Sequence, residues 1–218
     1  MWWTLGLSLS IVSFLFVLWY GLSLRWNRRR AQKLLANIES AFLGHGHVCG
    51  VEWRSASEFL VHLRVAGCAF THPNILVRMF PRQIPFRWAL ARLRKRRETM
   101  TFEANLHYPP GFNLEVQNQR WLVKTKVRMP RKNSVVRMKQ LGPFVLTSRR
   151  DWERDITNMV QALSSSRGCN LLSVSFRKSA PHFSATVPLE AIAGPQCSPD
   201  GIFDALRELA SGASTAKF

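Results

Sequence analysis

The chain has 218 residues, with 31 Lys and Arg against 13 Asp and Glu, and a formal net charge of +18. A chain of that length is long enough to bury a hydrophobic core, either in one folded domain or in two small ones. It is therefore not a short peptide without a core. The four cysteines, Cys49, Cys68, Cys169 and Cys197, lack C-x-x-C spacing, so we expect free thiols rather than a zinc ribbon or a disulfide framework.

Residues 2–24, WWTLGLSLSIVSFLFVLWYGLSL, contain no Asp, Glu, Lys, Arg or His. As a helix they span about 34 Å, against a hydrocarbon core of about 30 Å. Aromatic side chains mark both ends, as in membrane spans: Trp2, Trp3, Trp19, Tyr20 and Trp26. A cleaved signal peptide would have a cationic segment before the run and a small-x-small site after it, and both are missing. The pattern favours a retained transmembrane anchor over residues 1–24, which contacts the lipid bilayer through residues 2–24.

Five cationic side chains follow the apolar run: Arg25, Arg28, Arg29, Arg30 and Lys33. Lys and Arg beside a span stay on the cytoplasmic side. We therefore expect a single-pass protein of the cell membrane, with its N-terminus outside and residues 25–218 in the cytoplasm. Apolar residues from Leu34 to Phe42 recur at helical spacing, which predicts a juxtamembrane basic helix over residues 25–47 that continues from the span.

Short apolar runs come next and predict strands over residues 48–54, 58–66, 75–80, 112–116 and 120–129. Residues 99–107 alternate between apolar and polar side chains, as in a strand with one buried face. Between these strands, Pro85 can start a basic amphipathic helix over residues 85–98, in which Phe86, Ala89, Leu90 and Leu93 form one apolar stripe. Residues 48–142 are thus predicted to be a basic, strand-rich region.

The remaining chain predicts a strand over 143–147, a helix over 149–165 capped by Ser148, strands over 171–177 and 182–188, and a helix over 200–211. We read residues 143–211 as an α/β-like C-terminal subdomain and residues 212–218 as a flexible tail. The pattern over residues 144–189 is similar to the C-terminal part of uncharacterised bacterial membrane-anchored proteins, a resemblance that implies no activity. The whole order predicts an α+β fold: a transmembrane helix, then a cytoplasmic domain of mostly antiparallel sheet with three to four helices.

The positive charge is unevenly distributed. Residues 25–150 hold 25 Lys or Arg against 6 Asp or Glu, a net +19, whereas residues 151–218 hold 6 against 7, a net −1. Such asymmetry suggests an anionic partner for the first part. The candidate binding residues are Arg25, Arg28, Arg29, Arg30, Lys33, Arg92, Arg94, Lys95, Arg96, Arg97, Arg120, Lys124, Lys126 and Arg128.

Two other kinds of site have weaker signals. The segment His45-Gly46-His47-Val48-Cys49 offers three potential zinc ligands, whereas a structural zinc site has four, so a polar turn is the simpler interpretation. A glycine-rich phosphate loop, a G-x-S-x-G motif and an H-E-x-x-H motif are all missing from the sequence. No catalytic residue, cofactor-binding residue or metal ligand is therefore predicted.

These patterns favour a non-catalytic binding or scaffold module whose basic surface contacts anionic lipid headgroups or an acidic protein. One alternative is a membrane-tethered binder of nucleic acid, since charge alone gives sequence-independent affinity for phosphates. Another is an enzyme whose site assembles in space without a local motif. A basic groove with stacking aromatics would favour the first alternative, and a pocket with converging polar groups the second.

Overall fold

The structure is a computed structural model that describes residues 2–42, 46–65, 70–110, 113–118, 136–141, 144–149 and 172–192, with Asp204, Leu206 and Arg207. Its elements are, in chain order, α1 (Trp2–Phe42), β1 (Gly46–Ser55), β2 (Glu58–Val65), β3 (Phe70–Arg78), α2 (Pro85–Leu93), β4 (Thr99–Leu106), β5 (Leu114–Asn118), β6 (Val136–Leu141), β7 (Phe144–Arg149), β8 (Ser173–Phe176), β9 (Phe183–Pro188) and the single-turn α3 (Leu189–Ile192). An N-terminal apolar helix followed by a mostly antiparallel sheet is confirmed, but the described residues hold fewer helices than predicted.

The nine described strands form one sheet in the order β1-β2-β3-β4-β9-β8-β5-β7-β6. Neighbouring strands pair antiparallel throughout. The alternation predicted for β4 is confirmed, because Met100, Phe102, Ala104 and Leu106 are buried while the residues between them are half-buried. One face of the sheet therefore carries the hydrophobic core.

The second half of α1 covers that core face. Ala31, Leu34, Ile38 and Phe42 recur at helical spacing, and all four are buried among the apolar side chains of the strands. Burying a side chain of the size of leucine or phenylalanine contributes about 1.5–3 kcal/mol. Of the stripe predicted from Leu34 to Phe42, Leu34, Ile38 and Phe42 are thus buried and Leu35 is half-buried against the core, while the side chain of Ala41 lies outside the described part. Together with Ala31, these residues fix α1 to the sheet.

α1 crosses the sheet from one end to the other. Asn27 bonds to the carbonyls of Ala56, in the β1–β2 turn, and Phe80, just after β3, and α1 ends at Phe42 shortly before β1 begins. We call the end near Asn27 the α2 end of the sheet, because α2 connects β3 to β4 there. The other end, where β4 stops at Leu106, is the opposite end; it is about 23 Å away along the eight residues of β4.

The first half of α1 extends beyond the α2 end. The described side chains from Trp2 to Leu22 are all exposed, whereas Ser23 and Leu24 are half-buried. By length and composition, this helix is able to cross a membrane. We call residues 2–22 the apolar section and residues 23–42 the stalk; the two form one unbroken helix of 41 residues. The predicted bound of the juxtamembrane helix at residue 47 is wrong, because α1 ends at Phe42 and His47 lies in β1.

The helix predicted over residues 85–98 ends earlier, at Leu93. Lys95 adopts a left-handed conformation with φ of 49°, and the backbone N–H groups of Lys95 and Arg96 donate to the carbonyls of Arg92 and Ala91. These two bonds form a Schellman motif, which ends a helix even where helix-forming side chains continue. The cations from Arg94 to Arg97 therefore lie in the turn and the link to β4.

Other differences concern the second half of the chain. Ser148, predicted to cap a helix, lies in β7 opposite Leu114, and β6 was not predicted. The predicted strand over 120–129 and most of the predicted helix over 149–165 lie outside the described residues. Of the predicted helix over 200–211, Asp204, Leu206 and Arg207 are described as helical, and Leu206 is buried in the core. The division of the domain near residue 143 stays a prediction.

Candidate functional site

α2 lies against α1 at the last turn of the apolar section. The rings of Trp19 and Trp88 are 6.3 Å apart between centroids, and the Trp19 indole N–H donates to the carbonyl of Arg82 at 2.9 Å. Trp19 lies about 4.5 Å along the helix axis from Leu22, where the apolar section ends. The loop before α2 and α2 itself are therefore held beside the end of the apolar section.

Glu98 is the polar centre of the region where the stalk, the loop before α2 and the sheet meet, which we call the junction. Its carboxylate pairs with Arg30 of the stalk at 2.6 Å and with Arg82 at 3.5 Å, and it accepts the backbone N–H of Phe80 at 3.1 Å. The Glu98 side chain is only 6% exposed, and its own carbonyl accepts the N–H of Leu189. A buried carboxylate is stable only when it is paired and hydrogen-bonded, so these contacts fix stalk, loop and sheet to one another.

Arg82 joins the cations of the stalk to those of α2. Its guanidinium stacks on the ring of Trp26 at 3.6 Å from the centroid. Burial lowers the pKa of Arg82; the Glu98 carboxylate acts in the opposite direction, and the charges of Arg30 and Arg92 add to the lowering. The two predicted cationic segments thus meet around one carboxylate, which leaves a local excess of positive charge.

α2 turns three of the four residues of its predicted apolar stripe outward, contrary to the usual arrangement of a surface helix; the fourth, Leu90, is half-buried. Phe86 is 75% exposed and Leu93 is 79% exposed, and Ala89 is exposed too. Ala91 is buried instead, and Trp88 is half-buried beside Trp19. Spacing thus grouped these apolar residues, but the described protein covers only Leu90 among them, and that side chain in part.

Most of the predicted binding residues in the described part of the chain are exposed. We call Arg25, Arg28, Arg29 and Lys33 the stalk cations; all four are exposed. We call Arg94, Lys95 and Arg96 the turn cations; all three are exposed. The other described candidates have partners: Arg30 with Glu98, Arg92 with the ring of Trp88 at 5.7 Å, and Arg97 with Glu190 at 3.2 Å. Outside the described residues lie Arg120, Lys124, Lys126 and Arg128.

Sequence reasoning missed three residues of the junction. Asn27 is fully buried, and Arg82 and Glu98 make the contacts given above. A signal for Asn27 existed, because it falls on the apolar stripe of the stalk, four residues before Ala31. Arg82 and Glu98 had no such local signal, because the partners of Glu98 come from distant parts of the chain.

The segment considered for zinc is only partly described. His47 and Cys49 are exposed on β1, which is an edge strand, and His45 lies outside the described residues. Across the described part of the chain, no three His, Cys, Asp or Glu side chains come together as metal ligands would. The polar turn that we expected here is wrong from Gly46 onward, because β1 begins at that residue.

No protein-family model matches the chain, and no curated protein has significant similarity to it. The structure itself defines the class: an N-terminal helix apolar enough for a membrane span, continuous with a stalk that packs on an antiparallel sheet. The stalk cations follow the apolar section along α1, and the turn cations follow α2, which contacts that section through Trp88 and Trp19. We call these two sets of cations, with α2, the cationic surface.

Proposed function

We propose that this chain is a single-pass membrane protein whose cytoplasmic domain binds anionic lipid headgroups through the cationic surface at the α2 end. One observation carries the proposal: the exposed apolar section ends at the point where the stalk cations and α2 begin. A surface placed there meets the leaflet that surrounds the helix. Anionic lipid is therefore a nearer partner than an acidic protein, and cytoplasmic leaflets carry the anionic lipids.

The length of the apolar section supports a span. Its 21 residues extend about 32 Å as a helix, which matches a hydrocarbon core of about 30 Å. A cleaved signal sequence fits less well, because the helix continues without a break into the stalk, where Asn27 and Ala31 are buried against the domain. Retention of the helix and the outside position of its N-terminus both belong to the proposal.

The distance of each stalk cation from Leu22 along the helix axis determines how much we expect it to contribute to lipid binding. Relative to Leu22, Arg25 lies about 4.5 Å further along the axis, Arg29 about 10 Å and Lys33 about 16 Å. Each headgroup layer is about 5–7 Å thick, and salt screens charges over about 8 Å. For a helix close to the membrane normal, Arg25 lies among the headgroups and Arg29 within one screening length of them. Lys33 contributes little.

The proposal is tested by the lipid preference of the full chain in bilayers of phosphatidylcholine. Electron spin resonance of trace spin-labelled lipids measures which headgroup is retained beside the protein. Spin-labelled phosphatidylserine should be retained more than spin-labelled phosphatidylcholine, and the preference should decline as salt is raised, because Coulombic attraction is screened. Equal retention at low salt would contradict lipid binding. Retention of single-stranded RNA by the same bilayers, with equal retention of both lipids, would favour nucleic acid instead.

A further inference from the structure

α2 carries an apolar surface that faces neither the sheet nor α1. Phe86, Ala89 and Leu93 are spaced so that they share one side of the helix, and all three are exposed. Ala91 and Trp88, on the other side, contact the protein. Arg87 and Arg92 border the apolar side, one at each edge. This arrangement is that of an amphipathic helix whose apolar side contacts something outside the described protein.

The position of α2 indicates that the lipid bilayer contacts this apolar side. Trp88 contacts Trp19, which belongs to the apolar section, and every residue of α2 lies within about 8 Å of Trp88 along the helix axis. A bilayer that surrounds the apolar section therefore reaches α2 on its outward side. Helices with an apolar side and cationic borders lie in the plane of the membrane interface, buried about 5–10 Å into the boundary between headgroups and acyl chains.

We propose that α2 is an interfacial helix that inserts Phe86, Ala89 and Leu93 into the upper acyl-chain region beside the span. Arg87, Arg92 and the turn cations then lie at the level of the lipid phosphates. This inference rests on the proposed anchor but not on a preference for anionic lipid, because insertion of apolar side chains operates in neutral bilayers too. The domain thereby has two attachments to the membrane, α1 and α2, which fix how the sheet stands on it.

Contacts on both sides of α2 hold this helix beside α1. Glu98 ties the link after α2 to Arg30 of the stalk, and the Trp19 indole holds the loop before α2 through the carbonyl of Arg82. Both ends of α2 are therefore fixed to α1. Turning the apolar side of the helix toward the sheet would also expose Ala91, which is buried in the present arrangement.

The test uses the wild-type full chain in bilayers of phosphatidylcholine that contain a lipid with a photoactivatable carbene precursor in the upper acyl chain. After irradiation, mass spectrometry locates the lipid adducts. Adducts should occur in the apolar section, which is the internal reference, and on the segment from Phe86 to Leu93, at both low and high salt. Tyr108 is the matched control, since it is an aromatic side chain 57% exposed but placed past the opposite end of the sheet.

The outcomes separate the two proposals. Adducts in the apolar section but none on α2 above the level at Tyr108 would overturn the interfacial helix and leave the anchor in place. Absence of adducts from the apolar section itself would overturn both. Adducts on α2 that disappear at high salt would also overturn this inference, because apolar insertion is not screened by salt.

Discussion

Replacing Glu98 with Gln should lower the free energy of unfolding of the domain by about 3–5 kcal/mol, the usual cost of removing one member of a buried ion pair. The Glu98→Gln side chain keeps its shape and still accepts the N–H of Phe80. Arg30 and Arg82 then face each other in the junction without a compensating charge. Chemical denaturation of the full chain in a neutral detergent, followed by circular dichroism, measures the loss.

A second carboxylate gives the matched control. Glu190 pairs with Arg97 at 3.2 Å, but its side chain is 72% exposed. Exposed ion pairs contribute only about 0–1 kcal/mol, because solvent and salt screen them. Glu190→Gln should therefore leave the denaturation midpoint almost unchanged. A similar loss for both variants would mean that Glu98 has no special role in joining stalk, loop and sheet.

Reversing the turn cations, with Arg94, Lys95 and Arg96 each changed to Glu, should abolish the preference of the full chain for phosphatidylserine. Each cation near an anionic surface contributes about 1 kcal/mol, and a tenfold preference amounts to only about 1.4 kcal/mol. Loss of three such contributions, with repulsion added, therefore exceeds any preference of that size. The fold should persist, because all three side chains are exposed and lie outside α2.

The same change of charge at the opposite end of the sheet is the control. Arg64, Arg177 and Lys178 are exposed, and they lie at the ends of β2 and β8 that are remote from α2. They are about 20 Å from the α2 end by strand length, well beyond the screening length of about 8 Å. Changing these three to Glu should leave the preference for phosphatidylserine intact. If both triple variants lose the preference equally, total charge rather than the placement of the turn cations determines it.

The sequence predicts most of what depends on local periodicity. The alternation in β4 and the apolar stripe of the stalk are confirmed, because each pattern repeats often enough to define a buried face. The stripe of α2 was identified by the same rule, but periodicity does not say whether protein or another medium covers an apolar side. That question depends on the contact between Trp19 and Trp88, which are 69 positions apart.

Features that depend on contacts between distant parts of the chain could not be predicted from the sequence. The role of Glu98 depends on Arg30 and Arg82, which arrive from different parts of the chain, and a run of cations gave no sign that the acid at its end is buried. α2 is shorter than predicted because backbone bonds at Lys95 and Arg96 close it, although Lys and Arg favour helices. The cations predicted on the strand over 120–129 lie outside the described residues and stay a prediction.

The orientation of the chain in the membrane tests the proposed function most directly, because only a cytoplasmic domain meets the anionic leaflet. A reporter fused after Phe218 that is active on one side only, combined with the mass of the intact fusion, gives both orientation and retention of α1. We predict activity in the cytoplasm from a full-length fusion. Activity outside the cytoplasm, or a fusion cleaved near Arg25, would contradict the proposed anchor and with it the contact of the cationic surface with the leaflet.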